Sequence, residues 1–210
     1  MGATKKESPF DRWVDLASVI LISAATVLTA WSGYEAARWS ALQTRQYNEA
    51  SSQRIASAVA TGRANALVVI DVATFLEYVN AQAAGRDRER NFIYQRFRPE
   101  MRRAVDAWLA TKPLTNPAAP STPFAMARYR LHENEEAARL SALATATFQT
   151  AAARGEIGDA FVRLTVIFAA VSFLAGISTK LRSPYHLCII VTGFGALAYG
   201  LILMFQLPIR

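Results

Sequence analysis

The sequence predicts an all-α integral membrane protein with three transmembrane helices and an extramembrane helical domain built on two long antiparallel helices. Three observations predict it. Apolar residues gather into three long runs with few charges, the stretch between the first two is rich in Ala, Gln, Arg and Glu without alternating hydrophobicity, and the prolines fall between predicted helices or at their ends. A hydrophobic content of 52% is ordinary, so clustering rather than amount carries the signal.

Residues 1–12 form an N-terminal tail bearing Lys5, Lys6 and Arg12. Residues 13–31 form transmembrane helix 1. At about 1.5 Å per residue they cover roughly the 30 Å hydrocarbon layer, and Asp15 is their only charge. Trp13 and Trp31 stand at the two ends, where indoles favour the headgroup zone. No small-x-small cleavage site separates this run from the polar helix after it, so it reads as an uncleaved anchor.

Residues 32–160 form the extramembrane domain. From Ser32 to about Ala84 there is no proline, so the first helix continues outward, with Gly62 as a place where it can bend. Residues 67–79 are strongly apolar but short, and they include Asp71 and Glu77. They read as a buried core helix whose carboxylates pair with arginines, not as a fourth span. Gly85 breaks the helix, Asp87 is placed to cap the next, and Arg98-Pro99 divides a helix near 91–97 from one at 99–110. Residues 112–123 hold four of the eight prolines and form an extended turn. A second long helix is expected from about 124 to 154, with Gly155 and Gly158 as a flexible joint into transmembrane helix 2 at 161–179. Arg163 snorkels near the start of that span. A short turn, 180–184, leads into transmembrane helix 3 at 185–209, which carries no charge and is fenced by Pro184 and Pro208. Apolar spacings of three and four place Val69, Ile70, Phe75, Leu76, Phe92, Phe97, Val105, Trp108, Leu109, Leu140, Leu143 and Phe148 in the domain core.

Short flanks decide orientation, because long loops translocate largely regardless of charge. Lys5, Lys6 and Arg12 precede the first span, and Lys180 with Arg182 fill the turn between the second and third. With three spans these segments share one face, which predicts a cytoplasmic N-terminus and a large domain on the periplasmic or external side of a bacterial inner (plasma) membrane.

Net charge is +7, and of the 23 basic residues only Lys5, Lys6, Lys112 and Lys180 are lysine. In the domain the basic residues are interspersed with acidic ones, and the basic–aromatic stretch 86–103 is interrupted by Asp87, Glu89 and Glu100. No nucleic-acid partner is therefore expected. Cys188, the single cysteine, lies in the third run, so neither an intrachain disulfide nor a cysteine metal cluster can form. His132 with Glu135 or Glu136 has ligand spacing on one helix face, but the further ligands a bundle metal site needs are missing. An acidic first turn complementing the helix dipole accounts for the segment, so no metal is expected. No nucleophile–base pair or phosphate-binding loop is present, and no catalytic residue, cofactor or enzymatic activity is expected.

Within the membrane, Ala25, Thr29 and Gly33, then Ser172 and Gly176, then Thr192, Ala196 and Gly200 follow the small-xxx-small spacing of close helix packing. Asp15, Ser18, Thr26 and Thr29 in the first span, and Thr192, Tyr199 and Gln206 in the third, form polar stripes. They read either as hydroxyls satisfied within the helices or as the lining of a pore in a ring of subunits. Beyond the first span the helix offers mainly small residues, so Ala37, Ala41 and Ser52 are candidate subunit contacts.

Residues 31–43 (WSGYEAARWSALQ), 97–108 (FRPEMRRAVDAW), 116–126 (NPAAPSTPFAM) with Tyr129 and Leu131, and 173–179 (FLAGIST) resemble a family of three-span bacterial inner-membrane proteins of uncharacterised activity. The similarity runs along nearly the whole chain. It implies an inner-membrane location and transfers no functional residue. The expected function is a non-enzymatic assembly or scaffold protein, a homo-oligomer or an accessory subunit of a larger membrane complex. A homo-oligomeric ion channel lined by transmembrane helix 1 is the alternative. Lipid is the expected surrounding, and the sequence specifies no small-molecule ligand.

Overall fold

The computed structural model describes residues 9–178 and 185–209. The expectations for Lys5, Lys6, Lys180, Arg182 and the 180–184 turn lie outside the described residues. Those described are helical, with no strand among them: α1 (Pro9–Ala83), α2 (Asp87–Gln95), α3 (Pro99–Ala110), a 3-10 turn (Pro123–Ala125), α4 (His132–Ser178) and α5 (Tyr185–Phe205). Three helices are long and apolar enough to cross a membrane: Arg12–Ala83, His132–Ser178 and His186–Phe205. Several boundaries differ from expectation. The first short helix, α2, begins at Asp87, with Arg86 as its N-cap and no side-chain cap bond, so Asp87 lies in the first turn instead of capping. The second long helix begins at His132 rather than near Phe124, and it runs without a break through Gly155 and Gly158.

The chain divides into two compact units. One joins the residues up to Asn48 with those from Thr147 onward, and the other is Glu49–Ala146.

In the first unit α1 and α4 run antiparallel. Ser18 Oγ lies 3.0 Å from Ser178 Oγ at one end, Gly33 faces Thr165, and Gly158 faces Trp39 and the Ala36 carbonyl. Gly158 is thus a packing position inside a helix, where a missing side chain lets the α1 backbone around Ala36–Ser40 approach; Gly155 is tighter still, against the Gln43 side chain. The helix α5 packs on both. A Cβ at Gly193 would stand 2.6 Å from Leu21 Cδ2, and one at Gly200 would stand 2.6 Å from Phe168 Cε1. Phe161, Leu164, Phe168, Trp39 and Met204 form one buried cluster, and Leu21, Ala25, Val171 and Ala175 form another. Of the small-xxx-small positions, Ala25, Ala196 and Gly200 make contacts of this kind, whereas a Cβ at Gly176 would meet nothing within 4 Å.

In the second unit α1 ends on Gly85 at φ 66°, a left-handed conformation that costs glycine little. The amides of Gly85 and Arg86 turn back to the carbonyls of Gln82 and Ala81, closing the helix end. The core is aromatic. Phe75, Tyr78, Phe97, Met101 and Val105 are buried, with Trp108, Phe124, Tyr94 and Tyr129 packed around them. Phe75 receives Trp108 and Phe124 edge-on. Trp108 is half-buried, and its indole N–H donates to the Pro120 carbonyl at 2.7 Å, tying the proline-rich turn to α3. Of the expected core, Phe75, Phe97 and Val105 are buried. Val69, Ile70, Leu76, Phe92, Leu109 and Leu143 are exposed in this unit, and Phe148, which belongs to the other unit, is exposed as well.

Candidate functional site

The part of α1 in the second unit has two unlike faces. Ser57, Ala64, Asp71 and Tyr78, seven residues apart, look inward. Ala64, Asp71 and Tyr78 are buried, and the Ser57 hydroxyl donates to the Ala137 carbonyl of α4 at 2.8 Å. A seven-residue spacing keeps a face nearly constant on a 3.6-residue helix. The opposite face carries Ile55, Val59, Gly62, Ala66, Val69, Ala73 and Leu76. These follow strict steps of four and three, all are exposed, and Ile55 and Val69 are more than 60% accessible. Ile70 and Val79 widen the band at its edges. Ser52 is one further step of three before Ile55, and it too is exposed. Over three heptads this exposed face is apolar or small and carries no charge, the spacing that a coiled-coil seam requires.

A buried polar hub anchors that segment from the inward side. The Asp71 carboxylate, 3% exposed, accepts from Arg98 at 3.2 Å and from the Tyr129 hydroxyl at 2.9 Å. Arg98 in turn reaches Glu100 at 3.4 Å. The hub fixes which side of α1 faces in, joining α1, the start of α3 and the segment before α4. Burial, together with the hydrogen bond to the Asp71 carboxylate, pushes the Tyr129 phenol well above its usual value. The expected structural pairing of Asp71 with an arginine is therefore present, while Glu77 is exposed.

The polar stripes are divided among different environments. Ser18 is buried and bonded to Val14 and Ser178. Thr26 and Thr29 donate to the carbonyls of Ile22 and Ala25 one turn back, and Thr192 does the same to Cys188. Asp15, Tyr199 and Gln206 are exposed, the last two on a groove between α4 and α5. Ala37 and Ala41 are exposed in the first unit. His132 begins α4, with Glu133 and Glu135 in its first turn. Glu136 is held by Arg139 at 2.7 Å, which lowers its pKa. Among the described residues, no three His, Cys, Asp or Glu gather to hold a metal ion.

Two features went unnoticed in the sequence. Glu35 is fully buried in the first unit, with Arg38 3.7 Å from its carboxylate; its only signal is a carboxylate one turn beyond Trp31. An apolar cavity of about 300 Å³ in the second unit is lined by Tyr78, Trp108, Leu109 and Leu114, beside Lys112 at φ 53°. Its titratable lining groups are Tyr78 and Lys112, with no carboxylate or imidazole among them. No family model, curated protein or solved structure matches the chain.

Proposed function

We propose that this protein is a non-enzymatic scaffold of the bacterial inner membrane that assembles with copies of itself. The seam from Ile55 to Leu76 supports the reading. Its large residues stay one-half to two-thirds exposed in the single chain, and covering each is worth roughly 1 to 2 kcal/mol. A second copy is the occupant, because a heptad seam is self-complementary: each copy offers the same knobs and the same holes, and Gly62, Ala66 and Ala73 let two helices approach closely. The mass of the detergent-solubilised chain tests this. The native protein should run as an oligomer and Val69→Glu should shift it toward monomer at unchanged helix content. A native protein that is strictly monomeric overturns self-assembly, and with it the pore alternative. An oligomer insensitive to Val69→Glu places the contact elsewhere.

A further inference from the structure

In the first unit a groove of about 350 Å³ opens between α4 and α5. Its walls are aliphatic, with Leu164, Ile167 and Leu203 among them, and its polar groups are Arg163, Tyr199 and Gln206. No carboxylate lines it, and among the described residues Arg163 has no ion-pair partner. An arginine beside the apolar surface of two membrane-crossing helices is costly unless it reaches headgroups or holds an anion. Tyr199 on α5 and Gln206, in the turn just beyond its end, bring a hydroxyl and an amide to the same groove. One guanidinium and two neutral donors above an aliphatic slot match a phosphate that carries acyl chains. They do not match a choline headgroup, whose cation would meet Arg163 with neither a carboxylate nor an aromatic cage to receive it.

We propose that this groove binds an anionic phospholipid, with Arg163, Tyr199 and Gln206 on the phosphate and Leu164, Ile167 and Leu203 along an acyl chain. The site shares no residue with the α1 seam, so it stands or falls apart from self-assembly. The full-length chain, delipidated in neutral detergent, is titrated with phosphatidylglycerol and separately with phosphatidylcholine, and bound lipid is read by native mass spectrometry. Phosphatidylglycerol should bind in preference. Arg163→Gln should weaken it about tenfold and Tyr199→Phe about threefold to fivefold, while the exposed Arg45→Gln, away from the groove, leaves it unchanged. If Arg163→Gln loses its helical circular dichroism, Arg163→Lys and Tyr199→Phe carry the decision, the first expected to retain most binding and the second to lose it in part. Equal binding of the two lipids overturns the proposal, as does unchanged binding in the groove variants. Displacement of the lipid by millimolar inorganic phosphate would reveal a free-anion site and overturn it as well.

Discussion

The Asp71 hub decides which side of α1 faces inward, and its parts are unequal. Asp71 is buried while Arg98 keeps about a quarter of its side chain in water. Removing the arginine therefore strands a buried carboxylate, whereas neutralising the aspartate leaves a cation that water can reach. Arg98→Leu should cost about 3 kcal/mol in chemical denaturation of the solubilised chain. Asp71→Asn, whose amide oxygen still accepts from Tyr129, should cost about 1 to 2 kcal/mol. The reverse order would mean that Arg98 does not hold Asp71 in solution. Tyr129 adds a pH dependence of definite sign. Its folded pKa is raised above the ordinary value near 10, so the folded chain keeps the phenolic proton to higher pH than the unfolded chain. The stability it contributes is whole below about pH 10 and is lost as the pH climbs beyond that. Tyr129→Phe should remove this part of the alkaline loss, and an alkaline melting profile identical to that of the native chain would show that other groups cause it.

At the scale of elements, sequence pattern was a good guide to which stretches are helical and a poor one to which side each helix buries. The unbroken α1, the short α3 opened by Pro99 and the irregular proline-rich turn follow from proline placement and local propensity, which act through neighbours in the chain. The start of α4 does not: residues 124–131 have helix-like composition, but Phe124 packs edge-on to Phe75 and Tyr129 bonds to Asp71, and those tertiary contacts override propensity. Gly155 and Gly158 read as a break because an isolated glycine weakens a helix, whereas here Gly155 admits the Gln43 side chain and Gly158 admits the α1 backbone near Ala36 and Ser40. The core assignment failed at Val69, Ile70 and Leu76 for a related reason. A three–four spacing says that a face is apolar, not which chain covers it. The seam makes a geometric claim of its own. In a Cys188→Ser background, Ala66→Cys at its centre should form an oxidative crosslink between copies, and Ser57→Cys on the inward face should not. Equal crosslinking at both positions would mean random collision and not a defined contact. Gly62→Ala, where a Cβ meets nothing within 4 Å, should leave the protomer unharmed or raise its stability by about 0.5 to 1 kcal/mol.

For the molecule as a whole, the face of the membrane on which residues 49–146 work determines which soluble partners can meet them. If all three candidate helices cross the bilayer, the N-terminus and the 180–184 segment share one face, and the long segment between the first two spans shares the other with the C-terminus. Basic residues weigh on both faces. Lys5, Lys6, Arg12, Lys180 and Arg182 lie on the first, and Arg38, Arg45, Arg154 and Arg163 flank the second. The two sets do not count equally, because positive charge resists translocation most strongly in short segments, and both segments on the first face are short. The 180–184 segment is the more densely charged, with two cations in five residues. A reporter active only outside the cytoplasm should therefore work when fused after Arg210 and fail when fused at Ser183. Replacing Lys180 and Arg182 with Gln should blunt that contrast, because it removes the charge asymmetry on which the predicted orientation rests. The opposite reporter pattern in the native chain would put residues 49–146, and the apolar seam of α1 with them, in the cytoplasm.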